Sequence, residues 1–519
     1  MRGRSRHSDK ETRRKAVSRP TMKKNNSDQA KSIFTYASTT VLVGLFTLAF
    51  AWIWYSWYAD TMLLPFYRRG HWVMVFIYLI LVLLFSKAFG GIKVGYLRRT
   101  DMLYSQMISI VCVNLLTYLE ISVVDRDFSE FVPIIVLTLV DWVILIAWVW
   151  ASNKLYFKLF PPRRLVVIYG DRSAADLVMK MSRRVDKYMI CESVSVHDDM
   201  EEVYRKISEY EGVILCEVSG TVRNDLIKYC FANNIRMYIS PKISDIIVRG
   251  AEDIRLFDTP LLLCRNYGLT IGQRFVKRTF DLILSILMTI LLSPVMAVCA
   301  IAIKVEDGGP VLFKQKRLTI GGKEFYVYKF RSMVVDAEKD GPQLSSENDD
   351  RVTKVGRVMR KCRLDELPQL FNIIKGDMSL VGPRPERPEL AAEYEKEIPE
   401  FSFRLQVKAG LTGYAQVTGL YDTQPYDKLK MDLMYIENYS IFLDLQILLM
   451  TVKIALFPNE SNEKAKEHDG QEVEEAVEQV QESAPAQAHE KAQKRDMHTQ
   501  KNVSCSANAQ KYMDLNEGK

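Results

Sequence analysis

Four apolar runs near residues 36–58, 71–90, 103–124 and 131–151 limit what this chain can fold into more than any other feature. Each is long enough to cross a hydrocarbon layer, which takes ~20 helical residues. Inside such a layer every backbone amide must find a partner within the protein, so the runs read as a four-helix transmembrane bundle over residues 33–155. Arg98, Arg99, Lys154, Lys158, Arg163 and Arg164 fall on the side that carries the basic N-terminus, and Asp125 and Asp127 fall opposite, so both ends of the bundle face the cytoplasm. Arg68 and Arg69 on the outer side depart from that rule. Trp52, Trp54, Trp57 and Tyr58 read as an interfacial belt, and Asp141 either pairs with a neighbouring helix or is tolerated in the bundle.

Residues 1–32 are dominated by Arg and Lys with few apolar side chains, which reads as a disordered cytoplasmic arm; the run behind them is too long for the core of a cleaved signal. The net charge of +7 is concentrated there and beside the apolar runs. That distribution suits a membrane surface rather than nucleic acid, and no base-reading motif is present. The eight cysteines are scattered without a Cys-x-x-Cys pair and read as reduced, mostly buried thiols. No histidine occurs between Asp198 and Phe457, so chemistry in that region falls to carboxylates, Lys, Arg and an oxygen-bound metal.

Residues 160–268 change character. Leu165 to Gly170 reads as a strand ending in glycine, a helical run follows from Ala174, and further strands are expected near 189–196, 212–217, 235–239 and 260–264, the pattern of a Rossmann-like α/β domain. A dinucleotide fingerprint needs several glycines, and Gly170-Asp171-Arg172-Ser173-Ala174-Ala175 keeps only the first. A structural or regulatory role is therefore favoured over cofactor binding, although Arg172 and Ser173 at a helix start could hold a phosphate.

A fifth apolar block, 280–303, has cations at both ends: Arg274, Lys277 and Arg278 before it, Lys304, Lys314, Lys316 and Arg317 after it. Both ends therefore prefer the same side of a membrane. Ser293 and Pro294 sit mid-block, where proline removes an amide donor and serine helps satisfy the freed backbone, so a re-entrant helix with its break at these two residues is expected. From Val311 to Arg331 the pattern is strand, Gly321-Gly322 turn, strand, with Lys329 and Arg331 on one face.

The densest chemistry lies in Arg360-Lys361-Cys362-Arg363-Leu364-Asp365-Glu366-Leu367-Pro368-Gln369, which runs on to Gly382-Pro383-Arg384-Pro385-Glu386. Leu367, Leu370, Phe371, Ile373 and Ile374 recur at helical spacing and Gly376 suits a left-handed stop, so a short helix is expected to begin near Asp365 with both acids at its N-terminus. Asp365 is then either a helix cap or, among arginines that neutralise a phosphate, a nucleophile toward phosphorus. From Pro425 to Leu456 an amphipathic helix in the membrane interface is expected, because Asp444, Gln446 and Lys453 interrupt the apolar run. Residues 459–519 read as a disordered tail.

Leu-Asp-Glu-Leu-Pro-Gln-Leu, Gly-Pro-Arg-Pro-Glu, Tyr328-Lys329-Phe330-Arg331-Ser332-Met333 and Gly410-Leu411-Thr412-Gly413-Tyr414-Ala415-Gln416-Val417 occur here as an ordered set. Over residues 271–458 the chain resembles the bacterial monotopic phosphoglycosyl transferases, and the bundle and α/β domain before that region resemble their long subfamily. The resemblance implies a small α/β catalytic domain with a re-entrant helix, at the cytoplasmic face of a bacterial inner membrane. It implies transfer of a sugar-1-phosphate from a UDP-sugar to polyprenyl (undecaprenyl) phosphate with release of UMP, starting exopolysaccharide, capsule or O-antigen units. Asp365 would be the nucleophile and a magnesium ligand, Glu366 would help deprotonate or orient the lipid phosphate, and Lys329, Arg331, Arg360, Arg384, Lys277 and Arg278 would bind phosphate. Membrane lipids and a second copy, as a homodimer, are the expected partners. Two other readings stay in view: a nucleotide-sugar epimerase or dehydratase, whose Tyr-x-x-x-Lys pair would be Tyr238 and Lys242, and a non-catalytic scaffold of polysaccharide assembly. Ala409, where proline is frequent, and Arg363, where a small polar residue is frequent, leave donor preference open.

Overall fold

A computed structural model describes residues 25–62, 69–170, 174–182, 184, 186–264, 268–335, 349–419 and 423–456. The tail expected over 459–519, most of the basic arm, and Arg68, Arg172 and Ser173 lie outside the described residues. The N-terminal helices are α1 (Asn25–Ile53, continued by a π-helical turn at Trp54–Tyr58), α2 (Gly70–Ala88), α3 (Arg99–Asp125) and α4 (Val132–Leu159). All four are long and apolar enough to cross a membrane, and the last residues of the expected arm already belong to α1.

The bundle has a packed aromatic core in which Phe50 stacks on Tyr78 at 4.3 Å. The expected aromatic belt divides. Trp54 and Tyr58, four residues apart and so on one face, are buried, with their polar tips bonded to His71 Nδ1 at 3.1 Å and the Glu130 carbonyl at 2.6 Å, while Trp52 and Trp57 stay exposed. Asp141 pairs with neighbouring helices: it accepts from Tyr78 Oη and from Asn114 Nδ2, each at 3.2 Å.

The α/β region follows as β1 (Arg163–Tyr169), α5 (Ala175–Ser182), β2 (Tyr188–Ser195), α6 (Met200–Glu209), β3 (Gly212–Cys216), α7 (Gly220–Ala232) and β4 (Arg236–Ile239). The strands pair in parallel in the order β2-β1-β3-β4. Along β1, Val166 and Ile168 enter one core and Leu165 and Val167 the other, so both faces of the sheet are covered. Beyond α8 (Ile243–Arg249), the strand expected near 260–264 lies outside this sheet. It is β6 (Thr259–Leu263), paired antiparallel with β5 (Glu252–Leu256), because the two flank a tight turn that only a hairpin can use.

The C-terminal body comprises α9 (Ile271–Asp307), β7 (Leu312–Leu318), β8 (Glu324–Phe330), α10 (Lys354–Lys361), a 3-10 turn at Leu364–Glu366, α11 (Gln369–Lys375), β9 (Ser379–Val381), α12 (Pro388–Glu397), a 3-10 stretch at Pro399–Gln406, β10 (Gly410–Thr412), α13 (Tyr414–Thr418), α14 (Pro425–Glu437) and α15 (Ile441–Leu456). Ile243 and Ile246 of α8 belong to its core, and Lys430 on α14 lies 3.9 Å from Glu217 after β3, so the two bodies are packed together.

Helix α9 runs on through Pro294 without the break expected at Ser293 and Pro294. The proline has no amide to give the Ile290 carbonyl, and Ser293 Oγ donates to that carbonyl instead at 2.8 Å. Both ends of α9 hold the same body: Arg278 bonds the Ile373 and Ile374 carbonyls at one end, and Asp307 pairs with Arg331 at the other. Between them Ile283, Ile286, Leu287, Ile290, Leu291 and Val298 are exposed. The single amphipathic segment expected over Pro425–Leu456 is two helices. Leu429, Leu433 and Ile436 bury α14 in the core, and α15 bridges to the bundle, where Lys453 Nζ donates to Ser105 Oγ at 2.7 Å and to the Asp101 carbonyl at 3.1 Å.

Candidate active site

The acid pair sits on the 3-10 turn rather than at the start of a helix. After α10, Arg363 takes a left-handed conformation (φ 54°) that reverses the chain, a strain of ~1–2 kcal/mol for a residue with a Cβ. Leu364, Asp365 and Glu366 form the turn, Leu367 and Pro368 stay helical, and α11 begins only at Gln369. The stretch is wound in the tighter 3-10 form, with the Leu367 amide on the Leu364 carbonyl at 3.2 Å and the Leu370 amide on the Leu367 carbonyl at 3.1 Å. Pro368, and not Asp365, occupies the position that caps α11.

The turn is held from below by its own leucines. Leu364 and Leu367, three residues apart, pack into a cluster with Met296, Cys299, Ala300 and Ile303 of α9 and with Phe330 and Met359. Asn372 of α11, fully buried, accepts from the Tyr328 amide at 2.9 Å and donates to the Tyr326 carbonyl at 2.7 Å, which fixes β8 against the helix and brings Lys329 to the acids. Lys329 Nζ donates to Glu366 Oε1 at 2.9 Å, and Arg384 Nη2 lies 3.7 Å from the same oxygen. Arg360 Nε donates to Ser332 Oγ at 2.9 Å.

The two carboxyls are held in different electrostatic states. Burial works against the charge on Glu366, but Lys329 and Arg384 outweigh it and hold the carboxyl down at about 2. Burial raises Asp365 above the ordinary aspartate range and the Glu366 charge adds to the rise, while Lys329 and Arg360 oppose it. Neutral water therefore meets one carboxylate locked between cations and a second whose charge depends on them, an arrangement suited to nucleophilic attack on a phosphate that the same cations bind.

Of the expected phosphate-binding residues, Lys329, Arg360 and Arg384 gather around the acids. The other three do different work. Lys277, 6% exposed, donates to Asp444 Oδ2 at 2.6 Å, and its charge is spent inside the body. Arg278 caps the C-terminal carbonyls of α11, where the helix dipole favours a cation. Arg331 lies one residue past β8, is buried, and pairs with Asp307, so the face that it was expected to share with Lys329 ends before it. Sequence reasoning missed Asn372, Asp281, which accepts from Ser379 Oγ at 2.7 Å, and the Arg404–Asp432 pair. Asp281 alone left a signal, a carboxylate inside an apolar block.

No cluster of three or more His, Cys, Asp or Glu side chains able to hold a metal occurs among the described residues. Asp365 and Glu366 offer hard oxygens, and Glu366 is already engaged. So small a protein donor set fits magnesium, which keeps several waters and shares substrate phosphates. Tyr238 lies on β4 and Lys242 just before α8, so this pair does not share the helix that an epimerase or dehydratase requires.

A family model described as bacterial sugar transferase matches residues 272–458. The UDP-N-acetylgalactosamine-undecaprenyl-phosphate N-acetylgalactosaminephosphotransferase of Aeromonas hydrophila is 43% identical over 185 residues, 35% of this chain and 44% of the relative. The UDP-glucose:undecaprenyl-phosphate glucose-1-phosphate transferase of Caulobacter vibrioides is 43% identical over 183 residues, 34% of this chain and 68% of the relative. The uncharacterized sugar transferase EpsL of Bacillus subtilis is 40% identical over 181 residues, 35% of this chain and 87% of the relative. The match thus spans less than half the length of the Aeromonas protein and most of the length of the Bacillus one.

Proposed function

The chain belongs to the bacterial sugar transferase family, and from that premise we propose that it transfers a sugar-1-phosphate from a UDP-sugar to polyprenyl phosphate, releasing UMP. The observation that carries the reading is the acid turn: Asp365 beside a Glu366 pinned by Lys329 and Arg384, on a turn whose leucines pack against the apolar helix α9. A water-soluble donor and a lipid acceptor must meet there. A body with its cations in water and one apolar helix in the lipid reaches both.

The reaction divides into two displacements. The Asp365 carboxylate attacks the donor's β-phosphorus, the bond from that phosphorus to the UMP oxygen breaks, and UMP leaves with the electron pair. An oxygen of the polyprenyl phosphate then attacks the same phosphorus and regenerates the carboxylate. Lys329 and Arg360 take up charge on the transferred group, and Arg384 binds the donor diphosphate. Glu366 is read as orienting these cations rather than as a base, since a carboxyl held at about 2 has little affinity for a proton. Magnesium, held by Asp365 and the donor phosphates, would neutralise charge on the diphosphate.

The surrounding architecture follows from this reading. The four N-terminal helices cross a bacterial inner membrane, α9 enters and returns at Ser293-Pro294, and the C-terminal body works at the cytoplasmic face. The anchoring of both ends of α9 on one body supports that topology. The α/β region is a Rossmann-like domain with a structural or regulatory role, and the working form is a homodimer. The relatives' names span N-acetylgalactosamine and glucose donors, so the test is a panel: purified protein, UDP-linked galactose, glucose and N-acetylated sugars, undecaprenyl phosphate and magnesium, with UMP release measured. Release with at least one donor, dependent on the lipid, is expected; silence across the panel would overturn the proposal.

A further inference from the structure

The segment that delivers Arg384 belongs to no strand or helix, and two of its residues, Pro383 and Pro385, have no amide to donate. Its position is set through carbonyls. Pro383 accepts from the Gly410 amide at 2.9 Å, Pro385 from Arg317 at 3.0 Å and Glu386 from the Leu318 amide at 3.0 Å. The carbonyl of Arg384 itself is held by Arg404 Nη2 at 3.0 Å.

Arg404 has little freedom of its own. It is 5% exposed, its Nε and Nη2 meet Asp432 Oδ2 at 2.9 and 2.7 Å, and its Nη1 lies 3.4 Å from Glu386 Oε1. Asp432 is buried as deeply, on α14. A buried ion pair is weak evidence for stability, since an apolar pair of similar volume often does as well. A planar guanidinium that meets a carboxylate and a backbone carbonyl at once sets geometry, and a lysine ammonium cannot reproduce that fork.

We infer that Arg404, locked by Asp432, is a positioning residue: it fixes the backbone of Arg384 so that the half-exposed Arg384 side chain reaches the diphosphate beside Glu366. The inference rests on the reading that Arg384 binds the donor diphosphate. Arg404 touches no substrate and acts through the segment that carries Arg384, by the Arg384 carbonyl and the Glu386 carboxylate.

The test is a double-mutant cycle on the full-length protein in membranes. Arg404→Lys should raise KM for the UDP-sugar about tenfold, the worth of one charge-assisted hydrogen bond, with kcat and the KM for undecaprenyl phosphate nearly unchanged. In an Arg384→Ala background the same change should add less than about twofold. Asp432→Asn, which keeps shape and an acceptor, should reproduce the non-additive rise more weakly and serves if Arg404→Lys does not fold. A full tenfold effect in the Arg384→Ala background, or an unchanged donor KM in folded Arg404→Lys, would overturn the inference. If Arg384→Ala alone leaves donor KM unchanged, the diphosphate reading of Arg384 falls and the inference falls with it, a result distinct from additivity.

Discussion

Replacing Lys329 by methionine removes an ammonium 2.9 Å from Glu366 and keeps most of the side chain's volume. With Lys329 in place the Glu366 carboxyl titrates at about 2, against an ordinary glutamate value of ~4.3. The difference is worth about 3 kcal/mol, present above the unfolded value and lost as pH falls from ~4.3 through the folded value. In Lys329→Met, burial pushes Glu366 up with only Arg384 and Arg363 left to oppose it, and Asp365 loses a cation that opposed its own rise. The pair then shares a proton closer to neutrality, and its titration belongs to both acids together. The acidic limb of kcat/KM should move up, and the stability that wild-type Glu366 loses between its unfolded and folded values should no longer be there to lose, so thermal stability should start lower and fall less on acidification. UMP release from pH 4 to 9 and thermal unfolding from pH 2 to 8 check this. The rate will also fall because a phosphate ligand is gone, so the position of the limb, not its height, is diagnostic. Adding Glu366→Gln should recover much of the lost stability by removing the unpaired charge. An acid limb that stays within about half a pH unit of the wild type in folded Lys329→Met would refute the electrostatic account.

Lys277→Met should cost about 3 kcal/mol by leaving Asp444 buried without its cation, and Lys277→Met with Asp444→Leu should restore most of it; thermal unfolding in detergent reads both. Withdrawing magnesium with EDTA should abolish UMP release and restoring it should bring activity back, whereas activity in the complete absence of divalent ions would remove the metal assignment. Cysteines placed at Gln273 and Lys316 should label from one face of oriented vesicles, and opposite-face labelling would contradict a re-entrant α9.

Much of this molecule was legible because the relevant physics is local. The apolar runs had to be helices, Ser293 next to Pro294 announced the carbonyl that needed a donor, and the Gly321-Gly322 turn between alternating strands fixed the β7–β8 hairpin. Contacts between distant segments were not legible. Nothing near Lys277 announces Asp444, 167 residues later, and so an inward-facing cation was read as a phosphate ligand. Arg331 failed for a smaller reason. Period two holds only while the strand lasts, and β8 ends at Phe330. The arginine neighbours mark the acids, but the chain winds as a 3-10 turn there and the helix starts only at Gln369, which keeps the acids from its dipole. Their environment is made instead by Asn372 and by the leucines under the turn, whose partners on α9 and β8 lie far away in sequence.

The claim on which the account turns is that Asp365 carries the phosphosugar. Intact-protein mass spectrometry after incubation with a turned-over UDP-sugar, without lipid acceptor, tests it most directly in the wild type, Glu366→Gln and Asp365→Asn. The account predicts a sugar-phosphate adduct on the wild type or Glu366→Gln that maps to the Asp365 peptide, and a folded Asp365→Asn protein with neither adduct nor UMP release. Near-normal UMP release by Asp365→Asn would contradict it.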